Sequence, residues 1–344
     1  MKKNRDFTAC TLYSGTGGSA WGLRSVGNDG KGNFVDKLAV DFNDHAQMSF
    51  QANFPEVKFV NTDIGQIDGR WIRQQCGLTK DNNLDFMTLS TPCQPWTMQN
   101  PRHGKYDPKM ELMFQAPKLI GEALPLIAVT ENVAGMNSPA VAQYFEKVKF
   151  GFSRIPYETK IVILDTALYG VPQRRQRLLF ISVRHDVLGI LRHFDPGNDS
   201  FVAPEDRTQL EAFQLRNQIL GVKYYANQQF GERKVPATAI VPTITTSAIY
   251  FFRETGSELV KTEVTVSELK KLSSFPEDFI LDGDESIPAQ KKLMVDRVGN
   301  CVPPVFMERI ARHLRDNFLI PYYKKLKEQE AHRTLAIRLP KAGA

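Results

Sequence analysis

Cysteine is scarce in this chain: four in 344 residues, at positions 10, 76, 93 and 301, with no Cys-x-x-Cys pair and no Cys/His spacing. That pattern excludes a disulfide scaffold and argues against a structural zinc site. Long apolar runs are absent as well. No segment approaches the length of a membrane span, and the basic start "MKKNRDFTAC" is not followed by the apolar stretch of a signal peptide. A cytoplasmic protein without membrane attachment is expected. Internal repeats and long low-complexity tracts are missing, which excludes solenoids and collagen-like chains. Charge is mixed rather than one-signed: the net of +6 tilts only mildly toward a polyanionic partner. Much of the excess sits in "YYKKLKEQEAHRTLAIRLPK", which reads as a basic C-terminal tail over 322–344.

What is present is an alternation. "FTACTLYS", "FVDKLAVDF", "EVKFVNTDI", "LDFMTLST" and "LIAVTENV" read as strands, each separated from the next by enough chain for a helix, and "ETKIVILDT" and "RLLFISVR" extend the series. Such alternation predicts parallel pairing with both faces covered, a doubly wound α/β sheet. The rhythm breaks near His185, where turn-rich chain and a mixture of aromatic, basic and proline residues predict a second, smaller domain. Helical periodicity returns in "PPVFMERIARHLRDNFLIPYY", with Val305, Ile310, Leu314 and Phe318 near one face.

Several residues at predicted strand ends carry chemistry. In "LYSGTGGSAWGL", Gly15, Gly17 and Gly18 follow the first strand and precede a helix, a turn that lets backbone approach a ligand. The stretch "GTGGSA" satisfies the dinucleotide pattern, so a nicotinamide enzyme is one reading; a nucleoside without a pyrophosphate is another. Asp41 ends the second strand, where a carboxylate accepts hydrogen bonds from a ribose diol. Phe42 beside it suits an adenine face, and Asp63 at the third strand end suits an adenine amine. These three strand-end features point to an adenosine derivative.

The fourth strand ends at "STPCQPW", with Cys93 beside the expected crevice. A thiol is largely protonated near neutrality and needs help from its surroundings to attack. The fifth ends at "TENVAGM", where Glu131 directly follows an apolar run; burial disfavours the charged form of a carboxyl and suits it to hold a proton. In "YGVPQRRQRLLFI", Arg175 and Arg177 fall on the same side of an incipient strand, as two cations that hold an oxyanion, a carbonyl oxygen or a phosphate would. Together these residues fit addition of a thiolate to carbon 6 of a pyrimidine. The acid serves ring nitrogen 3, an arginine serves the 2-carbonyl, and carbon 5 becomes nucleophilic toward a sulfonium methyl donor.

In that order the motifs resemble the DNA cytosine-5 methyltransferases, of the bacterial or phage restriction-modification type, over nearly the whole chain. "YSGTGG", "PCQPW", "ENV", "QRRQR" and "VGNCVPP" match the family's adenosylmethionine loop, catalytic loop, base-protonating tripeptide, Gln-x-Arg-x-Arg and C-terminal motif. The resemblance implies a Rossmann-like adenosylmethionine-dependent sheet in residues 1–184 and a target-recognition domain in 185–291. A returning segment, 292–321, completes the catalytic domain. It implies Cys93 as nucleophile, Glu131 as proton donor, and Arg175 and Arg177 supporting a cytosine turned out of duplex DNA. S-adenosyl-L-methionine would be bound by Tyr13, Ser14, Gly15, Thr16, Gly17, Gly18, Asp41, Phe42, Asp63, Ile64, Pro92, Asn300 and Val302. Gln94, Asn132 and Gln173 would support the loop and the substrate. Double-stranded DNA is the implied partner, with a monomeric enzyme, functional pairing with a restriction endonuclease, and association with the nucleoid when bound. Lys223, Tyr224, Tyr225, Arg233 and Lys234 are candidates for contacting base edges.

This chain departs from the family pattern in four places. Thr97, Met98, Gln99 and Asn100 replace a usual Ser-x-x-Gly, Lys109 replaces the arginine of Asp-Pro-Arg, Ser267 replaces an arginine, and "IYFFRETG" stands where a glycine-rich loop is expected. Lys109 keeps a charge but loses the planar fork. Three rival readings stay open at this point. A transfer-RNA cytosine methyltransferase of the same fold carries a late Cys-Phe-Thr tripeptide that is not found here. A nicotinamide oxidoreductase leaves "PCQ", "ENV" and "QRRQR" unexplained. A silent DNA-binding relative would not need Cys93 and Glu131.

Overall fold

The computed structural model describes residues 5–79, 82–194, 201–206, 222–227, 235–236, 241–244, 249–255 and 258–338. Among them, a central sheet is built from β1 (Phe7–Leu12), β2 (Phe34–Asp41), β3 (Lys58–Asn61), β4 (Phe86–Ser90), β5 (Ile127–Val133) and β6 (Tyr157–Asp165). After the two-residue β7 (Gln173–Arg174), β8 (Gln176–Arg184) completes it, in the order β3-β2-β1-β4-β5-β8-β6. The first five strands pair in parallel. β8 runs antiparallel between β5 and β6, which corrects the all-parallel pairing expected from the alternation. The reason is length. Only residues 166–175 separate β6 from β8, and a parallel return needs a crossover of roughly a dozen residues or more.

The helices are α1 (Gly18–Val26), α2 (Asp44–Asn53), α3 (Gly69–Gln75), α4 (Met110–Ala123), α5 (Ala142–Ser153), α6 (His185–Phe194), α7 (Val266–Leu272), α8 (Pro288–Asn300), α9 (Pro304–Leu314) and α10 (Ile320–Arg338). Local sequence sets their starts. The Asn43 side chain accepts from Ala46 N at the head of α2, Asp68 accepts from Trp71 N at the head of α3, and Thr265 with Glu268 forms a reciprocal capping box on α7.

Alternate residues of each strand feed two cores. Phe7, Ala9, Phe86, Val129, Leu179 and Ile181 meet Leu23 of α1 and Phe306, Ile310 and Leu314 of α9 on one face. Leu12, Met87, Leu89, Ala128, Leu178 and Phe180 meet Ile72, Met113, Leu119, Phe145 and Val148 on the other. Two covered faces explain why these strands read as near-continuous apolar runs. In the stretch expected to open the second domain, Val187, Leu188 and Leu191 of α6, with Phe201 and Ala203, are buried in the first of these cores.

A separate antiparallel sheet follows: β9 (Val222–Asn227), β10 (Val235–Pro236), β12 (Ile249–Thr255) and β13 (Glu258–Glu263), in the order β10-β9-β12-β13. β11 (Val241–Pro242) pairs instead with β7. The chain then returns to the main body, where Leu269, Phe275, Phe279 and Val298, with Ile244 from the stretch between β11 and β12, pack on Ala20, Phe50 and Phe54 as a third core. Between α9 and α10 lies a π-helical turn, Arg315–Leu319, whose fully buried Arg315 donates to Val26 O, Gly32 O and Asp29. Of the stretch expected as a tail, Tyr322 is buried, Tyr323 lies against Phe7 and donates to Asp85, and the helix runs to Arg338.

One partly buried group ties the sheet's stability to pH. Asp36 of β2 accepts from Thr11 Oγ1 at 3.2 Å, and burial pushes its carboxyl up to about 7. In the unfolded chain it ionises near the ordinary value of about 4. As pH rises between these values the unfolded state loses its proton first, so native stability falls until about pH 7. Asp36→Asn should therefore raise the melting temperature by a few degrees in mildly alkaline buffer. The gain should disappear in acid, below the ordinary aspartate range. An equal gain at both extremes in thermal melts would show that ionisation is not its cause.

Candidate active site

Strands β1 to β5 end on one edge of the sheet, and the turns after them surround a cavity of about 450 Å³. This is where open α/β sheets place ligands. At its adenosine-like end, Asp41 Oδ2 accepts from Gly15 N at 2.8 Å and Oδ1 from Asn43 N at 3.1 Å. A carboxylate oxygen has a second lone pair, so both remain able to take a diol. Burial pushes the Asp41 carboxyl up from its usual range. Asp63 lines the wall and caps the next turn by accepting from Gly65 N, while Phe42 stands at the wall with two thirds of its surface (66%) exposed.

The wall also holds two orphans. Tyr13 Oη and Ser14 Oγ are buried with no hydrogen-bond partner among the described residues. Buried polar atoms are ordinarily satisfied, so this wall fits a ligand with polar edges. Burial, Asp63 and Asp41 hold the Tyr13 phenol above its ordinary range, which keeps it a donor. The returning segment closes the same wall. Thr16 Oγ1 lies 2.9 Å from Cys301 Sγ, and a Cβ on Gly18 would meet Val302 O at 2.3 Å. Pro92, Asn300 and Val302 line the cavity, whereas Gly17 lies behind its wall and Ile64 is buried in the second core.

At the other end stand Cys93, Glu131 and Arg177. Cys93 is half-buried just past β4. Burial pushes its thiol up, Glu131 adds to that, and Arg177 and Arg175 oppose it. Glu131 and Arg177 are both buried, with Arg177 Nε 2.7 Å from Glu131 Oε1. The Nε–H is not aimed along that line, so the contact is not a hydrogen bond. Beneath them the buried Asn132 donates to Thr91 Oγ1 at 2.8 Å, tying β5 to the end of β4. Gln94 lines the cavity, and its carbonyl accepts from Asn100 Nδ2.

Arg175 is differently employed. It lines the cavity, but its guanidinium donates to the carbonyls of Ile244 at 2.8 Å, Gly299 at 2.8 Å and Cys301 at 3.2 Å. Burial and Arg177 pull its ionisation down to about 9, still charged at neutrality. Gln173, fully buried and away from the wall, accepts from Ile244 N and donates toward Leu272 O and Ser273. These two side chains hold the small-sheet exit and the returning segment against the catalytic strand.

Sequence reasoning passed over Asn43, Ala46, Lys109, Leu112, Arg297 and Cys301, all on the cavity wall. Lys109 was visible only as a departure, and Cys301 only as the residue between Asn300 and Val302. Arg297 bonds His45 O and the backbone of Asp282, contacts that no local pattern reveals. The side chains of Lys223, Tyr224 and Tyr225, and the whole of Arg233 and Lys234, lie outside the described residues.

Two solved structures share the fold. One is a prophage-encoded Escherichia coli protein described as a DNA modification methyltransferase, at TM-score 0.64 and 19% identity over 91% of this chain and 99% of that one. The other is the Schizosaccharomyces pombe Dnmt2 methyltransferase, at TM-score 0.61 and 17% identity over 90% and 98%. The fold is that of Rossmann-like methyltransferases. The profile described as C-5 cytosine-specific DNA methylase matches residues 7–234, and the chain belongs to that family. Among its relatives, Type II methyltransferase M1.HphI of Haemophilus parahaemolyticus is 24% identical over 88% of this chain and 85% of its own length. Type II methyltransferase M.Sau96I of Staphylococcus aureus is 27% identical over 55% of this chain, a match spanning only 41% of that relative. Among the described residues, no helix is long and apolar enough to cross a membrane.

Proposed function

We propose that this protein transfers a methyl group from S-adenosyl-L-methionine to carbon 5 of a cytosine turned out of a specific duplex DNA sequence. The observation that carries the reading is the meeting, in one cavity, of Cys93, Glu131 and Arg177 with the adenosine-type wall of Asp41, Asp63 and Tyr13. S-Adenosylmethionine, when bound, supplies an electrophilic methyl group. Tyr13, Ser14, Asp41, Phe42, Asp63 and Asn300 would hold it.

The chain's own residues do the rest. The Cys93 thiol gives up its proton to solvent, and the sulfur bonds to carbon 6 of the ring. Electron density moves to nitrogen 3, which takes a proton from the Glu131 carboxyl, and Arg177 stabilises the carboxylate left behind. Carbon 5 is now nucleophilic. After methylation, nitrogen 3 returns its proton to the Glu131 carboxylate, and loss of the carbon-5 proton to solvent expels the thiolate and restores the ring. The small sheet and its flanking chain, within 185–291, would select the DNA site, and residues 292–321 would close the cofactor wall. The names of the relatives support a restriction-modification setting with a cognate endonuclease.

The decisive experiment presents 5-fluorocytosine in varied duplexes with labelled donor. A covalent protein–DNA adduct at Cys93 is expected; capture of transfer RNA instead of duplex would move the reading to the RNA methyltransferases. Bisulfite sequencing of DNA from expressing cells then gives the site. Arg175 gives a separate expectation. A lysine there reaches fewer carbonyls than the guanidinium does. Arg175→Lys should lose about tenfold or more in S-adenosylhomocysteine affinity, because each charge-assisted hydrogen bond contributes about 1.5–3 kcal/mol. Calorimetry checks this, and unchanged affinity with slowed turnover would place Arg175 on the substrate.

A further inference from the structure

The turn that carries the nucleophile rests on a residue with no side chain. After β5 the chain enters a short 3-10 turn, Ala134–Asn137. A Cβ built on Gly135 would lie 2.5 Å from the Trp96 carbonyl oxygen, 3.3 Å from Met98 N and 3.4 Å from Met98 Cγ. Ordinary side chains do not come that close to a backbone oxygen, so the two segments touch only because position 135 is glycine.

Trp96 is not a loose end. Its side chain is fully buried, and the backbone N–H groups of Trp96 and Thr97 both donate to the Cys93 carbonyl at 3.0 Å. Cys93 to Thr97 is therefore a closed turn, and displacing the Trp96 carbonyl displaces the residue that bears the thiol. On the other side of the thiol, Asn132 holds Thr91 at 2.8 Å. Cys93 thus sits between two ties, both reaching from the end of β5, the strand that also bears Glu131.

We propose that Gly135 is a positioning residue, whose bare Cα sets the placement of the Cys93 sulfur relative to Glu131 across the target base. The inference rests on the function proposed above. The neighbour is backbone rather than a flexible side chain, so an alanine must move the whole turn. A displacement approaching 1 Å at reacting atoms costs about 100-fold in rate. The cofactor wall has no part in the contact and should be unaffected.

The test compares wild type, Gly135→Ala and Gly135→Val in single-turnover transfer and in trapping of 5-fluorocytosine duplex, with S-adenosylhomocysteine calorimetry and thermal melts alongside. Gly135→Ala should slow both reactions about 100-fold, and Gly135→Val should slow them further. Cofactor-product affinity should stay within a few-fold, and the melting temperature within a few degrees. Wild-type rates in Gly135→Ala overturn the proposal. So does a parallel loss of affinity, or loss of the folded state, because Gly135 would then be a packing residue without a specific role in placing the thiol. If wild type itself traps no base, the proposed function fails rather than this inference.

Discussion

Cys93→Ala should show no methyl transfer while binding S-adenosylhomocysteine within a few-fold of wild type. Cytosine carbon 5 is too poor a nucleophile to accept a methyl group without prior addition at carbon 6, and no other thiol can substitute. Cys301 lines the cavity but is buried against Thr16, and its thiol is pushed up by burial. Cys10 and Cys76 are buried within the second core. Asp41, Asp63 and Tyr13 line the same cavity from the ends of other strands, so removing one sulfur leaves them in place. Cys93→Ser sharpens the test, since a hydroxyl keeps the volume but ionises far less readily than a thiol. Burial and Glu131 keep the native thiol protonated at neutrality in the DNA-free site. Its alkylation by iodoacetamide should therefore be slow near neutral pH and accelerate steadily into the alkaline range. Residual turnover in the alanine variant would mean a different nucleophile.

The residues that were legible in the sequence share one property: local chain places them. Asp41, Asp63, Cys93 and Glu131 stand at or just beyond the carboxyl ends of β2, β3, β4 and β5, and those strands announce themselves because both sheet faces are covered. What sequence could not show comes from distant chain. Alternation put Arg175 and Arg177 on the same side of a strand, and both do reach the cavity. Yet the carbonyls that engage Arg175 belong to Ile244, Gly299 and Cys301, at sequence separations of 69, 124 and 126. Arg297 is silent for the same reason, since its partners His45 and Asp282 meet only after the returning segment docks. The direction of β8 was misjudged because the apolar pattern of a strand is identical in either orientation. Only the short link from β6 decides it. Gly135 is the extreme case: its contribution is an absent side chain, visible only once Trp96 lies against it.

Glu131→Gln should slow single-turnover methylation by about 100- to 10,000-fold, the range typical of a lost general acid, while duplex affinity changes by no more than a few-fold. The amide is isosteric and its oxygen still faces Arg177, so the pocket keeps its shape. What it loses is a transferable proton, and with it the carboxylate that would form beside the guanidinium, 2.7 Å away. That pair has a mechanistic meaning. The guanidinium stands where it stabilises the carboxylate that forms once nitrogen 3 has taken the proton. A glutamine cannot reach that state, and electron density pushed onto the ring by the Cys93 sulfur has no outlet. Glu131→Asp separates acidity from placement: it restores an acid on a shorter arm and should fall between wild type and glutamine. The burial of Arg177 carries a second consequence. Removing the partner of a buried charge costs up to roughly 3–5 kcal/mol, so a melting-temperature loss in Glu131→Gln is expected and must be measured beside the rate. A glutamine variant with near-normal single-turnover rates would leave Glu131 as a counter-ion for Arg177 and remove it from the proton path.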